Sequence, residues 1–406
     1  MPSKAVQLET KKIPKLRFPG FSGVWEENKL GEVSKFWNGK AHEQDISEYG
    51  KYIVVNSKFI SQNGEVKKYS DKQISSLKKD DIAIVMSDIP NGKAISKCFL
   101  VNEDNTYTLN QRIGGIKSKE IVSPFLIRIL NRNKYFLKFD NGVSQTNLRK
   151  DEVLRCPVIF PSIPEQQKIS DFLRSTDAWI ENLQAQKESF ESYKKGMMQK
   201  IFAQEIRFKD EDGKEFPKWE EKKLGEICDK AKSGGTPTST KKEYYDGSIP
   251  FLSIADMTKS GKYILQTEKS ISEEGLKNSS AWIVPKGSLI YSMYASVGFV
   301  AINQIPLATS QAMINLIPNS KIINLEYLYY YLFFYKKLVH SFIETGTQGN
   351  LNAKIVKNFF VPVPLFLEQQ KIAGFLTSID KIIESKQQQI VQAEQWKRGL
   401  MQGLFV

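Results

Sequence analysis

The pentapeptide Glu-Gln-Gln-Lys-Ile occurs twice in this chain, at residues 165–169 and 368–372, and each copy opens a long amphipathic segment. At the same offset, Lys-Lys-Gly-Met-Met-Gln at 194–199 matches Lys-Arg-Gly-Leu-Met-Gln at 397–402. A register shared over this length indicates a tandem duplication. The repeat constrains the fold more than any other feature of the sequence, because both halves must adopt related structures.

A second repeat marks the other end of each half. Trp-Glu-Glu-Asn-Lys-Leu-Gly-Glu-Val at residues 25–33 matches Trp-Glu-Glu-Lys-Lys-Leu-Gly-Glu-Ile at 219–227, with seven of the nine positions identical. Between the matched ends, residues 34–142 and 228–345 share only scattered patterns. Each half is therefore a domain of ordinary size followed by a helix. Two domains that share their ends and differ inside suit the reading of two different targets.

The composition is that of a globular protein. With 406 residues, 41% of them hydrophobic and 11% aromatic, the chain can bury two cores. No apolar run approaches the roughly 18 residues of a membrane helix, and the start at Met1 lacks the apolar core of a signal peptide. We therefore expect a cytoplasmic protein with no membrane partner. The three scattered cysteines, Cys98, Cys156 and Cys228, predict buried, unreactive thiols and exclude a paired-cysteine zinc site.

The charge balance is strongly basic. Lysine and arginine outnumber aspartate and glutamate by 58 to 45, which gives a formal net charge of +13. An excess of this size commonly serves a polyanion, with a generic basic surface as the alternative. The combination of positive charge with duplicated domains favours nucleic acid.

Both long segments carry apolar residues at a period of 3.5. In the first segment, two companion series seven residues apart are Ile169, Thr176, Leu183, Phe190 and Met197, and Leu173, Ile180 and Ile201. In the second, they are Ile372, Ile379, Ala393 and Leu400, and Leu376, Ile383, Ile390 and Leu404. Both stripes are typical of coiled-coil seams, each on about 40 residues or about 60 Å of helix.

Either helix alone would leave its apolar stripe in water, so the sequence predicts that the two helices pair. Duplicated halves can pair around a pseudo-twofold axis only if the helices run antiparallel, with the domains at opposite ends of a rigid spacer. Lys187 and Lys386 interrupt the seams, as a partner contact or as a plain solvated break. Gly196 and Gly399 occupy equivalent places, which close approach of another backbone or helix termination would explain.

Inside the domains the pattern changes to short strands and turns. The runs at residues 81–86 and 288–293 have the composition of strands and are flanked by Gly or Pro turns such as residues 89–92. Each domain is predicted to be α+β, with strands in the majority. Residues 233–242 form a polar loop that ends in two lysines, which suits phosphate contact or a plain surface turn.

Motifs for catalysis are missing from the sequence. No two prolines are adjacent, so the Asn/Asp-Pro-Pro-aromatic signature of amino-methyltransferases is absent. Gly-Lys pairs such as residues 261–262 are never followed by Ser or Thr, which excludes the phosphate loop of nucleotide hydrolases. His42 and His340 have no matching partner in the repeat, which argues against a metal or acid–base role. We expect a non-catalytic chain with no cofactor of its own.

The order of these motifs resembles the specificity subunits of type I restriction-modification systems. Trp-Glu-Glu-x-Lys-Leu-Gly-Glu, a variable domain, Pro-x-x-Glu-Gln-Gln-Lys-Ile and a long helix occur in that order and then occur again, over residues 18–405. Gly-Gly-Thr-Pro at 234–237 and Gly-Thr-Gln-Gly-Asn-Leu at 346–351 also resemble the family. Ser-Gln-Thr-Asn-Leu at 144–148 answers the latter in the first half. The first domain lacks Gly-Gly-Thr-Pro, so its recognition loop cannot be assigned by motif.

The resemblance implies an α+β fold in which two strand-rich target-recognition domains are joined by two long antiparallel coiled-coil helices, as a pseudo-twofold internal repeat. The expected boundaries are 1–160 for the first domain, 161–205 for the first spacer helix, 206–363 for the second domain and 364–406 for the second spacer helix. Each domain would read one half of a bipartite double-stranded DNA site, and the helix pair would set the spacing between the halves.

The resemblance also implies partner proteins. Two modification subunits would dock on the chain and methylate adenine with S-adenosylmethionine, and restriction subunits would translocate and cleave DNA with ATP and Mg. The residues expected to form the helix spacer and partner interface are Ile169, Leu173, Ile180, Leu183, Phe190, Met197, Ile372, Leu376, Ile379, Ile383, Ile390 and Leu400.

Residues that read bases should be Arg or Lys for guanine and Asn or Gln for adenine. The candidates in the first domain are Lys93, Lys97, Asn110, Gln111 and Arg112. Those in the second domain are Thr236, Lys241, Lys242, Tyr294, Ser296, Ser310 and Gln311, of which Thr236 and the lysines would contact phosphates. The alternatives are that Gln111 and Gln311 hold domain structure and that the lysines are simply solvated.

Two other classes of protein remain to be weighed. A stand-alone tandem-domain DNA-binding regulator would explain the charge and the duplication, and it predicts tight sequence-specific binding by the isolated chain. A scaffold that gathers partners on its helices would show no steep dependence of DNA binding on salt. Neither explains the ordered motifs, so the specificity subunit is the favoured interpretation.

Overall fold

The computed structural model describes residues 12–89, 93–140, 142, 144–294, 296–344 and 351–406, and only the backbone of 337, 338 and 340–344. The chain divides into two compact units. The first is Met1–Leu183 with Gln389–Val406, and the second is Gln184–Gln388. Each unit therefore combines one domain with a stretch of each of the two long helices.

The first unit is built from short strands and short helices ahead of a long helix. Its strands are β1 (Glu26–Lys29), β2 (Ser34–Asn38), β3 (Tyr52–Val55), β4 (Tyr69–Ser70), β5 (Ile82–Val85), β6 (Ser87–Asp88), β7 (Cys98–Leu100), β8 (Tyr107–Leu109), β9 (Ile113–Ser118), β10 (Thr146–Asn147) and β11 (Pro157–Phe160). Its helices are α1 (Leu30–Val33), α2 (Ser57–Ser61), α3 (Ser123–Leu130), α4 (Lys134–Leu137), α5 (Lys150–Leu154) and the start of α6 (Ile163–Phe202).

The second unit has the same kind of content. Its strands are β12 (Glu220–Lys223), β13 (Cys228–Ser233), β14 (Tyr245–Leu252), β15 (Tyr263–Ile264), β16 (Lys269–Ile271), β17 (Leu289–Ser292), β18 (Val300–Asn303), β19 (Ala308–Thr309), β20 (Met313–Pro318) and β21 (Phe360–Val363). Its helices are α7 (Ile254–Ser260), α8 (Glu273–Lys277), α9 (Leu325–Glu344), α10 (Ala353–Lys357) and most of α11 (Phe366–Leu404), with a 3-10 turn at Lys242–Tyr244.

The two domains arrange their strands alike. The larger sheet of the first domain has the order β2-β9-β5-β7, and that of the second runs β13-β20-β17-β18-β15. The smaller sheets have the orders β4-β3-β8 and β16-β14-β19, with β3–β8 and β14–β19 parallel. Every residue of the central strands β5 and β17 is buried, which explains their continuous apolar sequences. The predicted strands at 81–86 and 288–293 are thereby confirmed.

The long helices α6 and α11 contain 40 and 39 residues and begin two residues after their predicted starts. In the first unit, Ile180 and Leu183 of α6 cluster with Ile390 and Ala393 of α11. Nearer the domain, Leu173 shares a core with Leu404. Because residue numbers rise along one helix as they fall along the other, the two segments of this unit run antiparallel.

An interhelical ion pair occurs in each unit. Lys397 Nζ lies 2.5 Å from Asp177 Oδ1 in the first unit, and Lys194 Nζ lies 2.5 Å from Asp380 Oδ1 in the second. The lysines and the aspartates each differ by 203 residues, so one repeated contact supports both units. Lys187 pairs along its own helix with Glu191 at 3.2 Å.

The residues predicted for the spacer seam differ in burial. Buried members are Ile169, Leu173, Ile180, Leu183, Ile372, Leu376, Ile379 and Ile390. Half-buried members are Phe190, Met197, Ile383 and Leu400. Neither explanation offered for Gly196 and Gly399 holds, because both lie inside helices and a Cβ added to either would meet no atom within 4 Å.

The repeated pentapeptide is a buried anchor at the start of each long helix. Glu165 is 1% exposed and accepts bonds from Arg17 Nε and Nη2 at 2.8 and 2.7 Å. Glu368 is fully buried and accepts the same pair from Arg207 at 3.1 and 2.7 Å, with a further bond from Trp219 Nε1 at 3.0 Å. The arginine precedes the first strand of each domain and the glutamate follows the last, so one ion pair closes each domain.

The glutamine after that glutamate fixes the neighbouring loops. Gln166 donates to the carbonyl of Pro161 and accepts from the amide of Val122, both at 2.8 Å. Gln369 also donates to the carbonyl five residues earlier at 2.8 Å, and it accepts from the amide of Asn324 at 2.7 Å. Both glutamines are at most 1% exposed. The glutamate and the glutamine after it therefore serve the fold, and neither is presented to a partner.

The cysteines are free thiols. Cys156 is buried, whereas Cys98 and Cys228 are half-buried. Burial raises the pKa of Cys156 and of Cys228 to about 12, and it raises that of Cys98 further. Among the described residues, no helix combines the length and apolar character needed to span a bilayer.

Candidate nucleic-acid interface

The Gly-Gly-Thr-Pro loop of the second domain begins at the end of β13. Gly234 N donates to the carbonyl of Met313 at 3.0 Å, and Gly235 N donates to that of Thr309 at 2.9 Å. A Cβ on Gly234 would overlap the backbone of Thr309, so the approach requires glycine. The loop is therefore fixed against the segment that joins β19 to β20.

The first domain makes the same pair of bonds with a different sequence. Gly39 N donates to the carbonyl of Ile113 at 2.9 Å, and Lys40 N donates to that of Leu109 at 3.0 Å. Residues 39–40 at the end of β2 thus correspond to residues 234–235. The correspondence comes from this hydrogen-bond register and not from the motif, since glycine is shared at only one of the two positions.

The predicted readers Asn110, Gln111 and Arg112 lie together between β8 and β9. Asn110 is half-buried and its Oδ1 accepts from the amide of Gln111 at 2.6 Å, whereas Gln111 and Arg112 are exposed. Gln111 Nε2 donates to Glu43 Oε1 at 3.1 Å. The carbonyl of Arg112 accepts from Met86 N at 3.0 Å, and the residue is exposed. This short segment presents an amide and a cation side by side.

Lys97 is half-buried and immediately precedes β7. Its Nζ donates to the carbonyl of Ser61 at 3.3 Å, and its carbonyl accepts from Val85 N at 2.9 Å. The same backbone bond in the second domain joins Ser292 to Phe299 at 2.8 Å. Lys97 therefore corresponds to Phe299 by register, and its ammonium already has a partner within the domain.

Lys93 stands apart from the other candidates. It is exposed and precedes Ala94, whose amide donates to Asp88 Oδ2 at 2.6 Å. Asp88 also accepts from Ile95 N at 3.0 Å. The predicted turn at residues 90–92 lies outside the described residues. Asp88 therefore holds the main chain at residues 94 and 95, and Lys93 is exposed beside them.

The second domain brings three of its predicted residues together. Thr236 Oγ1 donates to Gln311 Oε1, and Ser310 precedes Gln311 in the turn between β19 and β20. The carbonyl of Ala312 accepts from Met293 N at 2.9 Å, the counterpart of the Arg112 contact in the first domain. In each domain a glutamine at this turn is thus tied to the loop that follows the first strand of the larger sheet.

Tyr294 and Gln311 line a surface cleft of about 440 Å³ together with Asn352. Tyr294 is 38% exposed. Ser296 is half-buried and its carbonyl accepts from Phe299 N at 3.1 Å, so its backbone closes a turn. The cleft combines an aromatic face with amide groups, which is the chemistry that stacks on or bonds to bases.

Lys241 and Lys242 lie apart from that cleft in the chain. Lys241 Nζ donates to the hydroxyl of Tyr244 at 3.1 Å, and that hydrogen bond raises the pKa of the lysine. Lys242 is exposed at the start of the 3-10 turn. The raised pKa keeps Lys241 a cation at neutral pH, as a phosphate contact requires.

Sequence reasoning missed several polar residues beside the first-domain segment. Gln145 Nε2 donates to Ser87 Oγ at 2.7 Å and to Asn147 Oδ1 at 3.3 Å. Ser87 and Asn147 pair across β6 and β10. The signal was the Ser-Gln-Thr-Asn-Leu match at residues 144–148, although its counterpart at 347–350 lies outside the described residues.

His42 supports the first-domain loop from inside. It is 1% exposed, its Nδ1 lies 2.7 Å from the carbonyl of Lys40, and its Nε2 lies 2.8 Å from Thr108 Oγ1. No cluster of potential metal ligands occurs among the residues that the structure describes. The side chain of His340 lies outside them. His42 is therefore a buried link between the loop and β8.

Comparison with known proteins places this chain in a family. The family model for the type I restriction modification DNA specificity domain matches residues 23–192 and again residues 217–395. The chain belongs to this family.

The chain is also similar to individual specificity subunits. The chain is 34% identical over 211 residues to the type I restriction enzyme MjaIX specificity subunit of Methanocaldococcus jannaschii, a match that covers 50% of this chain and 48% of that one. It is 24% identical over 398 residues to the MjaVIII specificity subunit of the same organism, covering 93% of this chain and 91% of the relative.

Solved structures share the fold. The S subunit of a type I restriction-modification system from M. genitalium superposes with a TM-score of 0.59 at 19% identity, covering 97% of this chain and 99% of that one. A second chain, from work on complex assembly and conformational transition of the type I system, gives 0.58 at 18% identity, covering 96% and 98%. At such identities the likeness concerns the two-domain fold of mixed helices and strands.

Proposed function

We propose that this chain is the DNA sequence-specificity subunit of a type I restriction-modification complex, in which each domain reads one half of a bipartite site. One observation carries the proposal: both domains present a glutamine, Gln111 or Gln311, from the same turn, tied to the loop after the first strand of the larger sheet. Amide side chains match base edges, and the surrounding sequences differ, as two different half-sites require. The net charge of +13 suits a DNA partner.

The helix pair is proposed to act as an antiparallel coiled-coil spacer with pseudo-twofold symmetry, which sets the distance between half-sites. The repeated ion pairs of Asp177 and Asp380 with lysines 203 residues apart support this role. Two modification subunits are proposed to dock on the helices. Support comes from exposed apolar side chains at matched positions, since Trp179 corresponds to Ile382 and Tyr193 to Trp396, each 38–50% exposed.

The catalytic steps are assigned to the partners. We infer that adenine methylation with S-adenosylmethionine belongs to the modification subunits, and that restriction subunits use ATP and Mg for translocation and cleavage. The chain itself contributes recognition and assembly, in the cytoplasm. The absence of methyltransferase and phosphate-loop motifs from the full sequence supports this division.

The decisive experiment is to express the chain with its modification subunit and to map methylated adenines across a genome by single-molecule sequencing. A single bipartite motif with a fixed gap is expected, and it should vanish when this chain is omitted. Methylation without sequence preference, or unchanged without this chain, would contradict the proposal. The alternative, a stand-alone DNA-binding regulator, predicts instead specific binding by the isolated chain and no partner-dependent methylation.

A further inference from the structure

The contact between Gln111 and Glu43 joins the turn between β8 and β9 to the loop that follows β2. Gln111 Nε2 donates to Glu43 Oε1 at 3.1 Å, and both side chains are exposed. Glu43 was not among the residues that the sequence suggested. It is an acidic side chain on a surface otherwise expected to attract DNA, so its presence there calls for a physical reason.

The chemistry of the two groups fixes the orientation of the amide. An ionised carboxylate only accepts hydrogen bonds, so it can bind the amide of Gln111 only through nitrogen. If the amide were turned over, two acceptor oxygens would face each other. Glu43 therefore directs Gln111 Oε1 away from itself. Thr236 imposes no such polarity on Gln311 in the second domain, because a hydroxyl can either donate or accept.

A neighbouring residue in the chain makes hydrogen bonds that hold each partner of this contact in place. His42, next to Glu43, is buried and bridges the carbonyl of Lys40 and the hydroxyl of Thr108 at 2.7 and 2.8 Å. Next to the other partner, the main-chain N–H of Gln111 donates to Asn110 Oδ1 at 2.6 Å. A pair held in this way by a buried histidine and a half-buried asparagine can keep its geometry when DNA arrives.

We propose that Glu43 determines part of the first half-site by holding Gln111 as a hydrogen-bond acceptor toward DNA. The base that Gln111 Oε1 contacts then carries an exocyclic amino group, N6 of adenine or N4 of cytosine. Those amino groups are the donors in the major groove, whereas guanine and thymine present acceptors there. The inference rests on the proposed function, since it requires the first domain to read DNA. Glu43 acts through Gln111 and is a positioning residue.

Substitution of Glu43→Gln tests the proposal in the full chain co-expressed with the modification subunit. A glutamine at this position can donate or accept, so Gln111 becomes free to turn. At one position of the first half-site, discrimination against guanine or thymine should fall about tenfold, while the second half-site and the gap stay unchanged. Glu65→Gln is the matched control, because it removes the same charge from an exposed residue of the same domain and should leave the motif intact.

Gln111→Ala completes the test. It should make the same position degenerate, and adding Glu43→Gln to it should cause no further change. Relaxation by Gln111→Ala with a fully retained motif in Glu43→Gln would overturn the role of Glu43. Equal loss of methylation at all sites in Glu43→Gln would overturn it too, because a general effect on folding or charge would then suffice. A wild-type complex without any bipartite motif would overturn the proposed function itself, and the inference with it.

Discussion

Arg17 directs its Nε and Nη2 at the two carboxylate oxygens of Glu165, across 148 residues of chain. The arginine precedes the first strand of the first domain, and the glutamate lies in the first turn of the helix that follows the domain. The same arrangement of Arg207 and Glu368 closes the second domain. The repeated pentapeptide thus supplies the glutamate of an arginine–glutamate ion pair in each domain. We call these pairs, Arg17–Glu165 and Arg207–Glu368, the clamps.

Arg17→Ala should destabilise the first unit, because it leaves the buried carboxylate of Glu165 without a partner. Breaking a buried ion pair in this way costs about 3–5 kcal/mol in the free energy of unfolding. Arg174→Ala is the control, since its pair with Asp171 is exposed and contributes about 0–1 kcal/mol. Urea unfolding of the two variants measures the difference, and equal values would show that the clamp does not stabilise the domain.

Gly39→Ala should disturb the surface that presents Gln111. A Cβ there would overlap the carbonyl oxygen of Asn110, so the backbone must shift, at a cost of about 1–3 kcal/mol. Gly196→Ala, within α6 and facing open space, should instead stabilise the protein by up to about 1 kcal/mol. Thermal unfolding and methylation mapping together check this prediction. A Gly39→Ala variant with wild-type stability and motif would show that the close approach is dispensable.

Exchange of residues 34–142 for the matching stretch of a relative should change one half of the methylated motif only. Both clamp residues, Arg17 and Glu165, lie outside the exchanged stretch, so the domain should still close. Mapping of methylated adenines shows whether the second half-site and the gap persist. A change in both halves would be incompatible with one domain reading one half-site.

Insertion of one heptad into α6 and one into α11, at Lys187 and Lys386, should lengthen the gap between half-sites. Seven helical residues add about 10 Å, which is the length of about three base pairs at 3.4 Å each. The half-site sequences themselves should not change. An unaltered gap in the methylated motif would remove the helices from the role of spacer.

The cysteines should label slowly in the native protein. Because burial raises the pKa of Cys156 to about 12, the neutral thiol dominates at pH 8 and the reactive thiolate is roughly one in ten thousand. Its reaction with iodoacetamide should quicken as the pH rises and should accelerate greatly in urea, where the pKa returns to its ordinary value. Mass spectrometry of the labelled peptides measures both rates. Native labelling as fast as that in urea would contradict the burial.

The parts of the fold that sequence reasoning could predict were those with local periodicity. The heptad stripes located both long helices to within three residues at each end, and apolar runs located β5 and β17. The clamps were missed because the arginine and the glutamate are separated by well over a hundred residues. No local pattern links such a pair.

The candidate site was harder for a related reason. Residues 39–40 and 234–235 make equivalent hydrogen bonds to the turn before the next strand. The donors are main-chain amides, which any residue except proline supplies, so the sequence does not reveal them. Glycine is required at positions 39 and 234, because Asn110 or Thr309 lies too close to leave room for a Cβ. Glu43 could not be predicted either, because only the fold brings its loop beside Gln111. Whether the predicted residues contact DNA stays a prediction.

The first unit includes Gln389–Val406, with Leu16 N bonded to the carbonyl of Gly403 at 2.8 Å and Phe125 stacked on Phe405. During synthesis these residues leave the ribosome only after the entire second unit. The first domain must therefore wait, with part of its core uncovered, while some two hundred residues are translated and begin to fold. Maturation of the first unit thus depends on residues that are made only after the whole second unit.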